Sequence, residues 1–171
     1  MGKVIKINQF KDSNGYCNRE RENMKEFVKL VVYVSNNCNK EIYKTKLNKL
    51  LFYIQFLYYK KNKKRLLNDD FVYDYFGPVL PDLDEKLKEL NNSNIINLTK
   101  DEYGTIIEPK IKLRTEAYSE EELDIMNQVI KNFDNWSSRK LSDYSHRESF
   151  WENYIRGEVI RIENALSLKD I

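Results

Sequence analysis

The chain has 171 residues, of which 41% are hydrophobic and 33% are charged, a balance typical of one folded domain and not of a disordered chain. Its 29 basic and 27 acidic residues give a formal net charge of +2, so the whole-chain charge gives no reason to predict a nucleic-acid or membrane partner. Residues 1–10 contain no continuous apolar core. We therefore predict no secretory signal and a cytoplasmic protein.

The sequence offers few ligands for a metal or a cofactor. It has two cysteines, Cys17 and Cys38, and one histidine, His146, whereas a structural zinc site takes about four ligands. The five glycines are spread singly, so no phosphate-binding loop is visible. We predict no metal and no cofactor, and we expect both thiols to be reduced in the cytoplasm.

The first half of the chain predicts two helices. Residues 1–20 are polar and lack helical periodicity, which indicates an extension. Apolar residues then recur at helical spacing from Met24 to residue 34. Residues 47–59 carry two apolar stripes, and only a narrow polar line at Asn48 and Gln55 interrupts them. A helix that is apolar on most of its circumference is normally buried, so we predict that it is the centre of the core.

The middle of the chain predicts short strands. Residues 71–76 are aromatic and β-branched, and Gly77 follows them, which indicates a short strand with an abrupt end. Residues 95–98 and 105–113 read as a hairpin. Pro109 indicates that the second of these strands lies at an edge or is interrupted there.

The last third of the chain returns to a helical pattern. Ser119 with Glu122 predicts a capping box, and residues 138–144 predict a short helical turn. Ser145 with Glu148 predicts a second capping box that opens a last helix. The whole pattern predicts a mainly α, α+β fold: one compact helical domain with a central buried helix and a small antiparallel β-sheet or hairpin.

Three segments, taken together, resemble the Panacea antitoxin family, which includes SocA-like and phage-associated GepA-like proteins. They are residues 45–53 (TKLNKLLFY), residues 75–79 (YFGPV), and residues 141–146 (LSDYSH) followed by Trp151. The likeness covers about residues 24–168, with ordinary uncertainty at the boundaries. It divides the chain into a polar extension and a Panacea domain, at residues 1–20 and 21–171.

This resemblance implies a mostly helical antitoxin without common catalytic residues, and therefore a protein that is not an enzyme. Many members neutralise, by direct contact, a toxin encoded by a neighbouring gene. SocA also delivers its toxin to a protease, so a protease or chaperone is a further implied partner. Several members carry an N-terminal DNA-binding segment, but residues 1–20 are too few for a helix-turn-helix.

Recognition by a rigid scaffold favours aromatic residues beside a sharp turn as interface anchors. A catalytic reading of Ser145, His146 and Glu148 is disfavoured, because a capping box would occupy both the hydroxyl and the carboxylate. The predicted partner-binding residues are Tyr75, Phe76, Gly77, Pro78, Tyr144, His146 and Trp151.

A cluster of cations follows the central helix and leaves a second hypothesis open. It could bind phosphates, as in a nucleic-acid-binding regulator of a mobile element or prophage. The favoured interpretation is a solvated helix end that the macrodipole stabilises; the cluster could also be a patch that steers an acidic toxin. The candidate nucleic-acid residues are Lys60, Lys61, Lys63, Lys64 and Arg65.

Overall fold

The computed structural model describes residues 18–171 and the short strand Lys3–Val4. Most of the predicted extension, including Cys17, therefore lies outside the described residues. The described α-helices are α1 Asn18–Asn37, α2 Lys44–Asn62, α3 Leu83–Asn92, α4 Glu120–Phe133 and α5 Ser138–Ser145. The strands are β1 Lys3–Val4, β2 Ile42–Tyr43, β3 Val72–Asp74, β4 Gly77–Val79, β5 Ile96–Asp101, β6 Gly104–Pro109 and β7 Ile111–Lys112. The prediction of a mainly helical α+β domain is confirmed.

Helix α2 is the centre of the core, as its two apolar stripes predict. Every residue from Lys46 to Leu57 is buried, and α1, α4 and α5 pack around it. Both side-chain amides inside this run are hydrogen-bonded: Gln55 Nε2 donates to Leu67 O at 2.9 Å and Gln55 Oε1 accepts from the backbone amides of Leu66 and Leu67, while Asn48 Oδ1 accepts from the amide of Leu80 at 2.9 Å. Because a buried amide without partners would be costly, these bonds explain how the polar line of α2 is tolerated.

The largest sheet is antiparallel, with the strand order β2-β6-β5. The predicted hairpin is thus confirmed, but its second strand, β6, is central and not at an edge. The other half of the prediction is correct, because β6 ends at Pro109 and the chain resumes as β7 at Ile111. Strand β2 pairs only with Ile106 and Ile107, so the proline lies beyond the part of β6 that needs amide donors on both sides.

Strands β3 and β4 form a tight hairpin where the sequence indicated one strand with an abrupt end. Val72 pairs with Val79, and Asp74 pairs with Gly77, which leaves Tyr75 and Phe76 at the turn. Residues 77–79, which follow the expected end of the strand, therefore run back antiparallel to β3. The outer side of β3 is joined by residues 157–160, through a bridge from Val72 to Val159.

The second predicted capping box is wrong, although the first, at Ser119 and Glu122, is present. Ser145 ends α5, and its hydroxyl donates to Ser142 O at 2.8 Å. Glu148 instead accepts from Tyr53 Oη at 3.2 Å and from the amide of Lys169 at 3.1 Å. Both side chains thus bind tertiary partners, and in place of the last helix that was expected to end at Gly157 the chain forms a 3₁₀ turn at Ser149–Asn153. A further 3₁₀ turn, Ile162–Ser167, lies beyond that expected helix. None of the described helices has the length and apolarity needed to cross a bilayer.

Candidate functional site

The turn of the β3–β4 hairpin exposes two adjacent aromatic side chains. Tyr75 is 69% exposed and Phe76 is 71% exposed. The Asp74 carboxylate accepts a hydrogen bond from the amide of Tyr75 at 2.7 Å and thereby fixes the start of the turn. Large apolar groups held in water on an ordered turn are typical anchors for a protein partner.

The base of the hairpin is packed closely against α2 and α5. Gly77 has a φ of +88°, and a Cβ at this position would lie 2.5 Å from Ser145 Oγ and 3.2 Å from Lys49 Cε. Lys49 Nζ donates to Pro78 O at 3.0 Å, and Asn48 Oδ1 accepts from the amide of Leu80 at 2.9 Å. Gly77 and Pro78 are buried, so they position the two aromatic residues and do not themselves offer contact area.

The C-terminal segment extends this exposed surface. The Arg156 guanidinium lies 4.6 Å from the centre of the Tyr75 ring, and Arg156 Nε donates to Asp74 Oδ1 at 2.8 Å. Ile155 is 70% exposed and Val159, which pairs with β3, is 52% exposed. We call this set the tip surface; its residues are Tyr75, Phe76, Ile155, Arg156 and Val159. The sequence predicted a last helix that ends at Gly157 and therefore includes Ile155 and Arg156 but not Val159. Only the long-range pairing with β3 reveals that these residues join the hairpin.

Trp151, by contrast, belongs to the foundation of the hairpin. It is 6% exposed, its indole Nε1 donates to Ser145 O, and its ring stacks on Tyr73 with the ring centres 5.2 Å apart. His146 is half-buried and makes an edge contact with Tyr73, with the ring centres 6.3 Å apart. Tyr144 is also half-buried, and its ring packs against Trp136 at 5.2 Å. The predicted residues therefore divide into an exposed pair and a set of buried or half-buried residues, namely Gly77, Pro78, Tyr144, His146 and Trp151.

The cation cluster after α2 is largely neutralised by the protein itself. Lys63 Nζ donates to Lys60 O at 2.9 Å and so satisfies a backbone carbonyl at the end of α2. Three cations of the cluster form ion pairs, namely Lys60 with Asp170 at 2.7 Å, Lys61 with Asp124 at 3.4 Å and Arg65 with Asp70 at 2.6 Å. These carboxylates reduce the positive charge that the cluster presents to a phosphate backbone.

The Cys38 thiol sits among polar groups at the end of α1. Burial, together with the nearby Asp134 carboxylate, raises the pKa of Cys38 to about 12. Although burial opposes ionisation of Asp134, hydrogen bonds from the amide and side chain of Asn39 lower the pKa of this carboxyl. A thiol with a raised pKa is a poor nucleophile at neutral pH, so Cys38 has the properties of a structural residue.

Comparison with known proteins gives one match. A family model described as "Antitoxin SocA-like, Panacea domain" matches residues 47–152, which is more than half of the chain. The match contains α2 from Leu47 onward, the β3–β4 hairpin and Trp151, while Ile155, Arg156 and Val159 lie beyond its end. Searches of curated proteins and of solved structures found no match.

Proposed function

We propose that this chain, which belongs to the family of SocA-like antitoxins with a Panacea domain, neutralises a protein toxin by binding it directly. The toxin is the product of a neighbouring gene, and the encounter takes place in the cytoplasm. In this proposal the protein acts by recognition and not by catalysis. Delivery of the bound toxin to a protease or chaperone would be a later step that uses the same complex.

The tip surface is the observation that carries this proposal. It combines exposed tyrosine, phenylalanine and arginine side chains, and aromatic residues and arginine are enriched among interface residues that dominate binding energy. The hairpin beneath it is fixed by Gly77, by the Lys49–Pro78 hydrogen bond and by Trp151. A fixed surface loses little conformational entropy when a partner binds, which favours affinity.

The arrangement of Ser145 and Glu148, the candidate catalytic residues, also supports a role in binding a protein partner. Ser145 is completely buried and its hydroxyl is committed to Ser142 O. Glu148 is 3% exposed and accepts from Tyr53 and from the Lys169 amide. Both groups therefore serve the packing of α5 and the C-terminal segment against α2.

Co-expression of the neighbouring reading frame tests the proposal. The frame is placed under an inducible promoter, with this chain supplied from a second promoter, and both growth and co-purification are measured. We expect induction of the frame alone to stop growth and this chain to restore it. A harmless neighbouring product, or one that is lethal whether or not this chain is present, would refute the proposal.

Variants of the tip surface assign the role to residues. Replacing Tyr75 or Phe76 with Ala should weaken toxin binding by about 2 kcal/mol, or roughly 30-fold, as at other interface anchors. The matched control is Leu166→Ala, since Leu166 is 56% exposed on the 3₁₀ turn Ile162–Ser167. Wild-type affinity in both tip variants would show that the toxin binds elsewhere.

A further inference from the structure

Two neighbouring cavities meet at the first turn of α5, and we call them together the groove. Ser138 and Arg139 line both of its halves. One half has a volume of about 790 Å³ and is lined by Lys46; the other has a volume of about 990 Å³ and is lined by Lys49 and by Phe76 of the tip surface. The groove is therefore continuous with the surface to which we assign toxin binding.

Two buried lysines line this groove without a carboxylate partner. Lys46 is 2% exposed and Lys49 is 1% exposed. Each ammonium donates to one backbone carbonyl, Lys46 to Asp134 O at 2.5 Å and Lys49 to Pro78 O at 3.0 Å. Among the residues that the structure describes, the ion pairs are made by other cations, so neither ammonium has a carboxylate oxygen within 4.0 Å.

This arrangement is electrostatically unfavourable for the protein alone. Burial lowers the pKa of Lys46, and it lowers that of Lys49 to about 8. An ammonium can donate several hydrogen bonds, and a buried cation needs an anion or further acceptors to offset its lost hydration. An oxyanion that entered the groove would supply each lysine with a negative charge and with further hydrogen-bond acceptors.

The helix ends at the groove strengthen its preference for an anion. Helix α2 begins at Lys44 without a side-chain cap and with no acidic residue in its first turn. In contrast, α3 and α4 both place acidic residues in their first turns, where the helix dipole favours negative charge. At α5, the Ser137 hydroxyl accepts from the amide of Lys140, which leaves the amides of Ser138 and Arg139 as orphan donors of the first turn.

Four acidic side chains also line the groove, namely Glu41, Asp74, Asp84 and Asp143, and two of them are engaged by cations of the protein. Asp74 accepts from Arg156 at 2.8 Å, and Asp84 accepts from Lys44 at 2.8 Å. Asp74 still favours the charged form of Lys49, and Asp134 favours that of Lys46, but neither carboxylate forms an ion pair with its lysine. Arg139, which is exposed on the rim, adds a further positive charge to both halves.

We propose that the groove receives an acidic segment of the protein partner, with one carboxylate at Lys46 and a second at Lys49. This inference rests on the proposed toxin binding and names the chemistry of the surface that the toxin presents. The two lysines are three residues apart on α2, so their Cβ atoms are about 5–6 Å apart. Acidic residues at alternate positions of an extended segment lie on one side of it, about 6.6 Å apart, so a single segment can present two carboxylates to the groove.

A labelled peptide provides the test without the toxin. The probe is a fluorescent peptide in which Glu alternates with Ser, and its counterpart has Gln at each Glu; fluorescence anisotropy measures binding to the full chain at low ionic strength. We expect the Glu peptide to bind at least about tenfold more tightly than the Gln peptide, because truncating one partner of a buried charge pair costs this much or more. Lys46→Met and Lys49→Met should each remove most of this preference, while Lys131→Met, at an exposed position on α4, should retain it.

Thermal unfolding of the same variants separates binding from folding. Each substitution removes a buried ammonium but also leaves a carbonyl, Asp134 O or Pro78 O, without its donor. Because these two effects oppose each other, we expect a cooperative unfolding transition with only a modest shift of the melting temperature while the Glu preference is lost. If one variant does not fold, the other still decides the result. Equal binding of the Glu and Gln peptides by the wild type, or an unchanged preference in both folded variants, would overturn the acidic groove.

Failure of this inference and failure of the proposed function are distinguishable. If the toxin is bound and neutralised while the Glu and Gln peptides bind equally, the groove is not an acidic-segment site and direct neutralisation stands. If the Glu preference depends on the two lysines but the neighbouring product is harmless, the groove stands and the antitoxin function of this chain falls.

Discussion

Gly77 provides the sharpest test of how the hairpin is held. Its φ of +88° is rare for any residue with a side chain, and a Cβ would lie 2.5 Å from the completely buried Ser145 Oγ. Gly157 has the same φ of +88°, but a Cβ there meets no atom within 4 Å among the described residues. The same substitution at these two sites therefore separates backbone strain from the close contact.

The expected magnitudes differ between the two sites. A left-handed backbone at a non-glycine residue costs about 1–2 kcal/mol, and alanine recovers about 0.4–1 kcal/mol by restricting the unfolded chain. Gly157→Ala should thus lower the free energy of unfolding by roughly 1 kcal/mol. At Gly77 the methyl group must also displace Ser145, and overpacking of this kind adds about 1–3 kcal/mol. Gly77→Ala should therefore cost about 2–4 kcal/mol in total.

Urea unfolding followed by tryptophan fluorescence measures both variants. A double-mutant cycle then identifies the contact, because Ser145→Ala removes the Oγ atom that the new methyl group would meet. In the Ser145→Ala background, Gly77→Ala should cost about 1–3 kcal/mol less than in the wild type, since contacting residues are not additive. Equal costs for Gly77→Ala and Gly157→Ala, or equal costs of Gly77→Ala in the two backgrounds, would refute the reasoning.

Three further predictions concern the residues beneath the tip surface and the end of α1. Trp151→Phe should lower the free energy of unfolding, measured with urea, by about 1–3 kcal/mol, because the buried carbonyl of Ser145 loses its indole donor. The control Tyr75→Phe should change it by less than about 0.5 kcal/mol. The pKa of Asp134 is lowered in the native state, so its contribution to the free energy of unfolding is present above the unfolded pKa and is lost as the pH falls through the native pKa. Asp134→Asn should therefore lower the urea midpoint at neutral pH. It should also flatten the decline of the midpoint below about pH 4. In a Cys17→Ser variant, Cys38 should react slowly with a thiol reagent at neutral pH and rapidly in urea, and rapid reaction of the native protein would contradict the raised pKa.

Local patterns in the sequence predicted the helices and the hairpins to different degrees. The stripes of α2 predicted a central buried helix, because burial on all sides leaves a direct compositional mark. The Ser119 capping box is also local, since its two bonds join residues three apart. The same pattern at Ser145 and Glu148 failed, because Glu148 finds Tyr53 on α2 and the Lys169 amide on the C-terminal segment. A local rule gives the wrong result where distant partners satisfy the same groups.

The candidate site was predicted in part for the same reason. Tyr75 and Phe76 stand beside a glycine and a proline, so their exposure on a turn was accessible from the sequence. The contribution of Arg156 was not, because it depends on the bridge between Val159 and β3, about 85 residues earlier in the chain. Trp151 was predicted as a contact residue but is part of the support, since aromatic character alone does not tell an anchor from a core side chain.

The position of Lys49 links the two proposals physically. Its ammonium bonds to Pro78 O, so it fixes the hairpin that presents Phe76, and it also lines the groove that Phe76 borders. If support of the hairpin were its whole role, a neutral donor could satisfy the same carbonyl without the cost of burying a charge. A partner carboxylate at this lysine would offset that cost only in the complex, so the charge would contribute to binding while the hydrogen bond holds the tip in place. On this argument Lys49→Gln should keep the hairpin and lose the preference for an acidic partner, which amide exchange of the hairpin and the peptide assay can measure separately.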